Sequence, residues 1–247
     1  MMNSIYFVFD LGGTLLKLNT PHFTHLSKME QKKIGLETGC YDMIFSEITK
    51  ALYYENQKKT DKQVPTSKII EGILHKYDIC LTTDDVIGLM WQMLGKESCE
   101  YLPPLQGVLD LLDDLYEQDI QIYGISNTVL PENLLNPILS RHNMKKYFRR
   151  IVLSSECGYR KPSDEFFEIL EQYINYQKTD TIVLIGDSYE NDISPAIKRG
   201  YDTIYIGTEK IENNYQPKYV AEDIGKLKKI IFKKYLIKSA NKKSRLN

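Results

Sequence analysis

Ile5-Tyr6-Phe7-Val8-Phe9-Asp10-Leu11-Gly12-Gly13-Thr14-Leu15 is the stretch that decides the fold of this 247-residue chain. Apolar and aromatic residues run unbroken into a carboxylate, and two glycines follow one residue later. A short run of this kind reads as a strand buried on both faces, and such strands belong to parallel sheets covered by helices. In open parallel sheets, ligands gather at the carboxyl ends of the strands. Asp10 stands at such an end, and the glycines allow backbone N–H groups to approach an anion.

Working outward, four more apolar runs fit the same pattern, at residues 120–126, 151–154, 181–187 and 201–207. Residues 107–118 repeat Val108, Leu111, Leu112 and Leu115 at helical spacing, and residues 163–173 repeat Phe166, Phe167, Leu170 and Tyr173 likewise. Strands alternating with helices predict a parallel sheet with crossover connections. The alternation breaks once, between the first and second strands. There, residues 42–56, 67–77 and 83–95 read as amphipathic helices, and Thr83-Asp84-Asp85 makes a plausible helix start. Pro103-Pro104 punctuates the return. The expected fold class is α/β, a Rossmann-like parallel sheet core from residues 1–16 and 101–240. An inserted α-helical cap is expected at 17–100, and a basic, disordered tail at 241–247.

Each of the first four strands, or the loop after it, carries a polar group. These are Asp10, Ser126-Asn127, Arg160-Lys161-Pro162, and Gly186-Asp187-Ser188 with Asn191-Asp192. The topology would bring a carboxylate, a hydroxyl, an ammonium and an acidic pair to one rim. That set suits phosphoryl transfer. A carboxylate can attack phosphorus, a divalent cation held by carboxylates can screen the repulsion between the two anions, and Lys161 with Ser126 can hold the equatorial oxygens.

This constellation resembles the haloacid dehalogenase-like superfamily, from Ile5 to about Ile231. Residues 9–15 resemble its first motif, Ile125-Ser126-Asn127 its second, Lys161-Pro162 with Phe166 its third, and Gly186-Asp187-Ser188 with Asn191-Asp192 its fourth. The insertion resembles the helical cap of the first cap class. The resemblance implies that Asp10 is nucleophile and metal ligand, and that Ser126, Asn127 and Lys161 bind the substrate phosphate. It further implies that Asp187 and the Gly12 backbone carbonyl bind Mg2+, and that Asp192 supports the metal or Lys161.

One position departs from the family pattern. Phosphatases of this superfamily usually carry a second Asp two residues after the nucleophile, as general acid and base, where this chain has Gly12. Help of that kind contributes roughly 10²–10⁴-fold. Three readings stay open: a magnesium-dependent phosphatase acting on a small phosphorylated metabolite through an aspartyl-phosphate, a phosphometabolite-binding protein with impaired turnover, or a 2-haloacid dehalogenase. Dehalogenases of the family use an Arg soon after the first motif, and this chain has none before Arg141. His22 and His25 could supply the missing acid, although a surface or structural role is the plainer reading. Trp91, Tyr53 and Tyr54 are expected to pack inside the cap, with pocket lining as the alternative.

Composition bounds the partners. Hydrophobic residues make up 42% and charged residues 26%, which is enough to bury a core. Residues 226–247 carry nine Lys or Arg and no acidic residue, leaving 23 basic against 33 acidic residues elsewhere. An acidic body disfavours nucleic acid. The stripe of Leu227, Ile230, Ile231 and Tyr235 reads as a last helix docked on the core rather than on a membrane. The four cysteines form no CxxC pair, no apolar run approaches a membrane span, and the N-terminus lacks the marks of a secretion signal. A cytoplasmic location is the resulting expectation.

Overall fold

The computed structural model describes residues 4–18, 40–94, 102–177, 179–211 and 215–236. His22, His25, Cys99 and the tail from residue 237 lie outside them. Six parallel strands form one sheet in the order β3-β2-β1-β4-β5-β6, namely β1 (Ile5–Asp10), β2 (Gln121–Ser126), β3 (Phe148–Leu153), β4 (Thr181–Gly186), β5 (Asp202–Ile206) and β6 (Tyr219–Ala221). The order reverses on either side of β1, where a doubly wound sheet opens its binding crevice. The fold is therefore the expected Rossmann-like α/β core with helices inserted after the first strand.

Side-chain alternation along the strands builds a three-layer core. Phe7 and Phe9 of β1 with Val183 and Ile185 of β4 face one side, and Tyr6 and Val8 with Ile182 and Leu184 face the other. Helices α4 (Val108–Glu117), α5 (Glu132–Arg141) and α7 (Ile224–Ile231) bury Leu111, Leu139 and Leu227 on the first side. Helix α6 (Asp164–Ile174) buries Phe166, Phe167 and Leu170 on the second. Tyr235, just past α7, meets Phe7 edge to face at 5.7 Å, so the C-terminal stripe docks on the sheet.

The insertion leaves and returns side by side. Lys17 N–H donates to Pro103 O at 2.8 Å and Leu105 N–H to Leu15 O at 2.9 Å. Between these points lie α1 (Cys40–Gln57), α2 (Thr66–Lys76) and α3 (Thr83–Leu94), close to the expected spans. Their buried residues, Ile44, Ile48, Leu52, Ile70, Val86 and Met90 among them, join the apolar cluster on the first face of the sheet.

The structure corrects several expectations. Strand β3 begins at Phe148 rather than residue 151, because it is the sheet's edge and leaves Arg149 and Arg150 exposed; an alternating polar start hides such a strand. Helix α5 is not expected from the sequence, since Pro137 sits inside it and Pro normally argues against a helix interior. Strand β6 is a three-residue edge with one buried residue. Tyr53 and Tyr54 are 62% and 68% exposed rather than packed within the cap, whereas Trp91 packs against the apolar cluster with the Arg141 guanidinium 4.5 Å from its ring centroid.

Candidate active site

The carboxyl ends of β1, β2 and β4 open into one pocket of about 350 Å³, lined by Asp10, Gly12, Ser126, Asn127, Lys161, Asp187 and Asp192. Asp10 is the last residue of β1 and is 5% exposed. Beyond it the chain turns sharply, with Leu15 and Leu16 N–H both donating to Leu11 O at 2.9 and 2.8 Å. Gly13 makes that turn possible. Its φ is +90°, and a Cβ there would stand 2.2 Å from Asp187 Oδ2. Thr14, fully buried, donates its hydroxyl to Asp187 Oδ1 at 3.2 Å.

Lys161 binds the carboxylates together. Its ammonium donates to Asp10 Oδ1 at 2.5 Å and to Asp192 Oδ1 at 2.6 Å, and it is 4% exposed. The peptide bond to Pro162 is cis. Asn127 clamps this loop, accepting from Lys161 N–H and donating to Lys161 O, each at 2.9 Å. Its amide is thus committed to holding the lysine. The Ser126 hydroxyl, by contrast, faces the pocket with no hydrogen bond among the described residues.

Asp192 arrives by a single π-type turn, Tyr189–Ile193, whose N-terminal cap is the Ser188 hydroxyl. Asp192 Oδ2 accepts from Ser188 N–H at 3.2 Å. The residue is fully buried. Gly186 makes room for it, since a Cβ there would meet Asp192 atoms at 2.5–2.6 Å.

Carboxylate oxygens of Asp10, Asp187 and Asp192 lie within 4.8 Å of one another. Three carboxylates face one ammonium, so the fully ionised cluster lacks two positive charges. The protonation preferences follow. Burial lifts the Asp10 carboxyl; Lys161 pulls it down and Asp192 and Asp187 push it up, leaving it at about 7. Burial also raises Asp187, reinforced by Asp192 and opposed by the Thr14 hydroxyl. Burial works against the Lys161 ammonium, but Asp10 and Asp192 outweigh it and hold the charge above its ordinary range. Clustered hard oxygen donors with a deficit of two positive charges fit a divalent cation such as Mg2+.

The structure therefore brings together Asp10, Gly12, Ser126, Asn127, Lys161, Asp187 and Asp192, although they come from four distant parts of the chain. The sequence reading does not foresee the wall residues Leu16, Leu18, Asn56, Leu102, Thr128, Val129 and Leu130. Of the residues assigned no role from sequence, only Thr14 carries a signal, as the hydroxyl beside the paired glycines.

The family model described as "Haloacid dehalogenase-like hydrolase" matches residues 7–206. The chain belongs to that family. A pyrimidine 5'-nucleotidase of Streptococcus pneumoniae is 24% identical over 212 residues, covering 85% of this chain and 87% of the relative. A glyceraldehyde 3-phosphate phosphatase of Methanocaldococcus jannaschii is 24% identical over 228 residues, covering 91% and 94%. The family makes the chain a hydrolase, and both of these relatives are named for the hydrolysis of phosphoesters. Among solved structures, the magnesium-bound HAD-hydrolase YfnB of Bacillus subtilis superimposes with a TM-score of 0.55 at 18% identity, covering 93% of this chain and 99% of that one. That likeness speaks for the fold.

Proposed function

We propose that this chain is a Mg2+-dependent phosphomonoesterase for a small phosphorylated metabolite, with Asp10 as nucleophile. The observation that carries the reading is the cluster at the mouth of β1, in which buried Asp10, Lys161 and Asp192 meet the more exposed Asp187. Asp10, Asp187 and the Gly12 carbonyl would hold the cation, with Asp192 beside it. When bound, Mg2+ screens the repulsion between carboxylate and phosphate and orients the ester.

The chain's own residues do the rest. A carboxylate oxygen of Asp10 bonds to phosphorus as the bond from phosphorus to the leaving oxygen breaks, giving an aspartyl-phosphate and an alcohol. Lys161 and the Ser126 hydroxyl donate to the equatorial oxygens, where charge spreads in the transition state. Asp192 keeps Lys161 charged, and Asn127 keeps it in place. Water then attacks the phosphoryl group and frees Asp10. The proton for the leaving oxygen is where this chain departs from its family, because Gly12 offers no side chain; water or a ligand hydroxyl supplies it.

The relatives' names make uridine 5'-monophosphate and glyceraldehyde 3-phosphate the first esters to assay. The expected result is Mg2+-dependent release of phosphate from at least one of them, stopped by chelator. Binding of phosphate analogues without release from any phosphorylated metabolite would turn the reading into a binding protein. Chelator-insensitive chloride release from a 2-haloacid would turn it into a dehalogenase. A small phosphorylated molecule is the proposed partner, with neither nucleic acid nor membrane involved. Among the described residues no helix is long and apolar enough to cross a membrane.

A further inference from the structure

We propose that Arg160 is a positioning residue that seats the cap, and that Asn56, which it thereby places over the pocket, reads the organic part of the ester. The inference rests on the phosphoester reading above and adds which residues select the substrate.

Arg160 precedes the lysine of the site, yet its side chain reaches into the cap. Its Nη2 donates to the backbone carbonyl of Glu55, near the end of α1, at 2.7 Å. Its backbone N–H donates to Asp61 O, also at 2.7 Å. Arg160 is 6% exposed, and burial presses on its charge while the Glu55 carboxylate supports it. Neighbouring bonds reinforce the seat. Gln63 N–H donates to Gly158 O at 2.9 Å, and the Gln63 side chain donates to Thr128 O at 2.7 Å.

The residue after Glu55 is Asn56. Among the described residues between 40 and 94 it alone lines the pocket, and its amide makes no hydrogen bond with them. The nearby walls are Leu16, Leu18, Leu102, Val129 and Leu130, and no described charged side chain lines the pocket outside the phosphate cluster. Leucine and valine walls favour a group with apolar faces. One free amide offers a donor and an acceptor side by side. A pyrimidine ring satisfies both demands, and a volume of about 350 Å³ has room for a mononucleotide.

Arg160 does this without supporting Lys161. The lysine's backbone is clamped on both sides by Asn127 within the core. Losing the Arg160 side chain should therefore loosen the roof of the pocket and spare its floor.

The test compares two esters on the full chain: uridine 5'-monophosphate, and acetyl phosphate, which is too short to reach the cap. Asn56→Ala and Arg160→Met should each lower the ratio of kcat/KM for the nucleotide over acetyl phosphate by about tenfold, the scale of one lost hydrogen bond. The loss should appear chiefly in KM. Arg160→Lys should restore part of it. The double variant should be no worse than either single variant, because both act on one contact. An unchanged ratio for Asn56→Ala, or losses that multiply in the double variant, overturns the proposal. So does an active parent that accepts acetyl phosphate and not the nucleotide. Asn56 is exposed, so its variant decides the matter even where Arg160→Met fails to fold. A parent inactive on both esters overturns this inference alone; the phosphoester reading falls only if glyceraldehyde 3-phosphate and other phosphorylated metabolites are also left intact.

Discussion

At the floor of the pocket Asp10, Lys161 and Asp192 are 5%, 4% and 0% exposed and hold one another at 2.5 and 2.6 Å. At its rim Asn56 stands exposed, its amide without a hydrogen bond among the described residues, carried by a cap that meets the core through contacts such as Gln63 to Thr128 O and Arg160 to Glu55 O. The floor is over-determined. Gly13 and Gly186 leave no room for a methyl group beside Asp187 and Asp192, so the backbone packs directly against the carboxylates. The rim is under-determined, because carbonyl acceptors impose little on side-chain identity. Chemistry is thus fixed where burial forces charges together, and choice of substrate is left where few groups constrain it.

The strongest way to break that comparison is Asp10→Asn. Loss of the attacking carboxylate should lower phosphate release by on the order of 10⁴-fold or more. A variant retaining a tenth of parental kcat under excess Mg2+ would show that the floor is not where the bond is broken. Next in size is Gly12→Asp. A Cβ at Gly12 would meet only the tip of Leu18, at 2.8 Å, and Leu18 is 68% exposed and able to swing away. Where protonation of the leaving oxygen limits turnover, the new carboxyl should raise kcat by roughly 10²-fold. No gain from a slow parent would place the bottleneck elsewhere.

The missing positive charge gives a third test, read by thermal melts. Asp10 is held at about 7 against an ordinary 3.8. Between those values the folded state binds more protons than the unfolded chain. Under chelation this group's contribution is therefore full below about pH 4 and falls as pH rises to about 7. Mg2+ at a hundred times its Kd should return about 2.7 kcal/mol above pH 7, and much less at pH 5, where protons compete. Asp10→Asn should flatten the slope. A chelated parent whose stability instead rises from pH 4 to pH 7, with no change in slope in the variant, would contradict the crowded floor.

The same contrast explains what the sequence discloses. Strand β1 and the ends of β2 and β4 are legible because burial on both faces demands unbroken apolar runs and the chemistry demands polar residues where they stop. Helices α1, α2 and α3 are legible from periodicity alone. Pro137 conceals α5, and exposed Arg149 and Arg150 conceal the start of β3. Asn56 and Gln63 give no functional sign, and Arg160 stands out in the sequence only as the neighbour of Lys161. The side chains of Gln63 and Arg160 bond to carbonyls, and nothing in the local sequence marks a carbonyl that lies 65 or 105 residues away.

The smallest expected effect compares two threonines that are both fully buried, Thr14 in the floor and Thr66 in the cap. Thr66 donates to Val129 O at 2.7 Å, and Thr14 to Asp187 Oδ1 at 3.2 Å. Valine matches threonine in shape, so each substitution removes one hydrogen bond with little change in volume. Each should cost about 1 kcal/mol of stability, because a buried acceptor loses its partner. Their functional consequences should then separate. Thr14→Val removes the side-chain hydroxyl that favours the ionised form of Asp187, so its carboxyl should rise further and Mg2+ should bind more weakly. Thr66→Val touches no charged group and should leave the Mg2+ dependence unchanged. Titrating phosphate release against Mg2+ for both variants decides the point, and equal midpoints would mean that Thr14 fixes the backbone rather than the charge of the site.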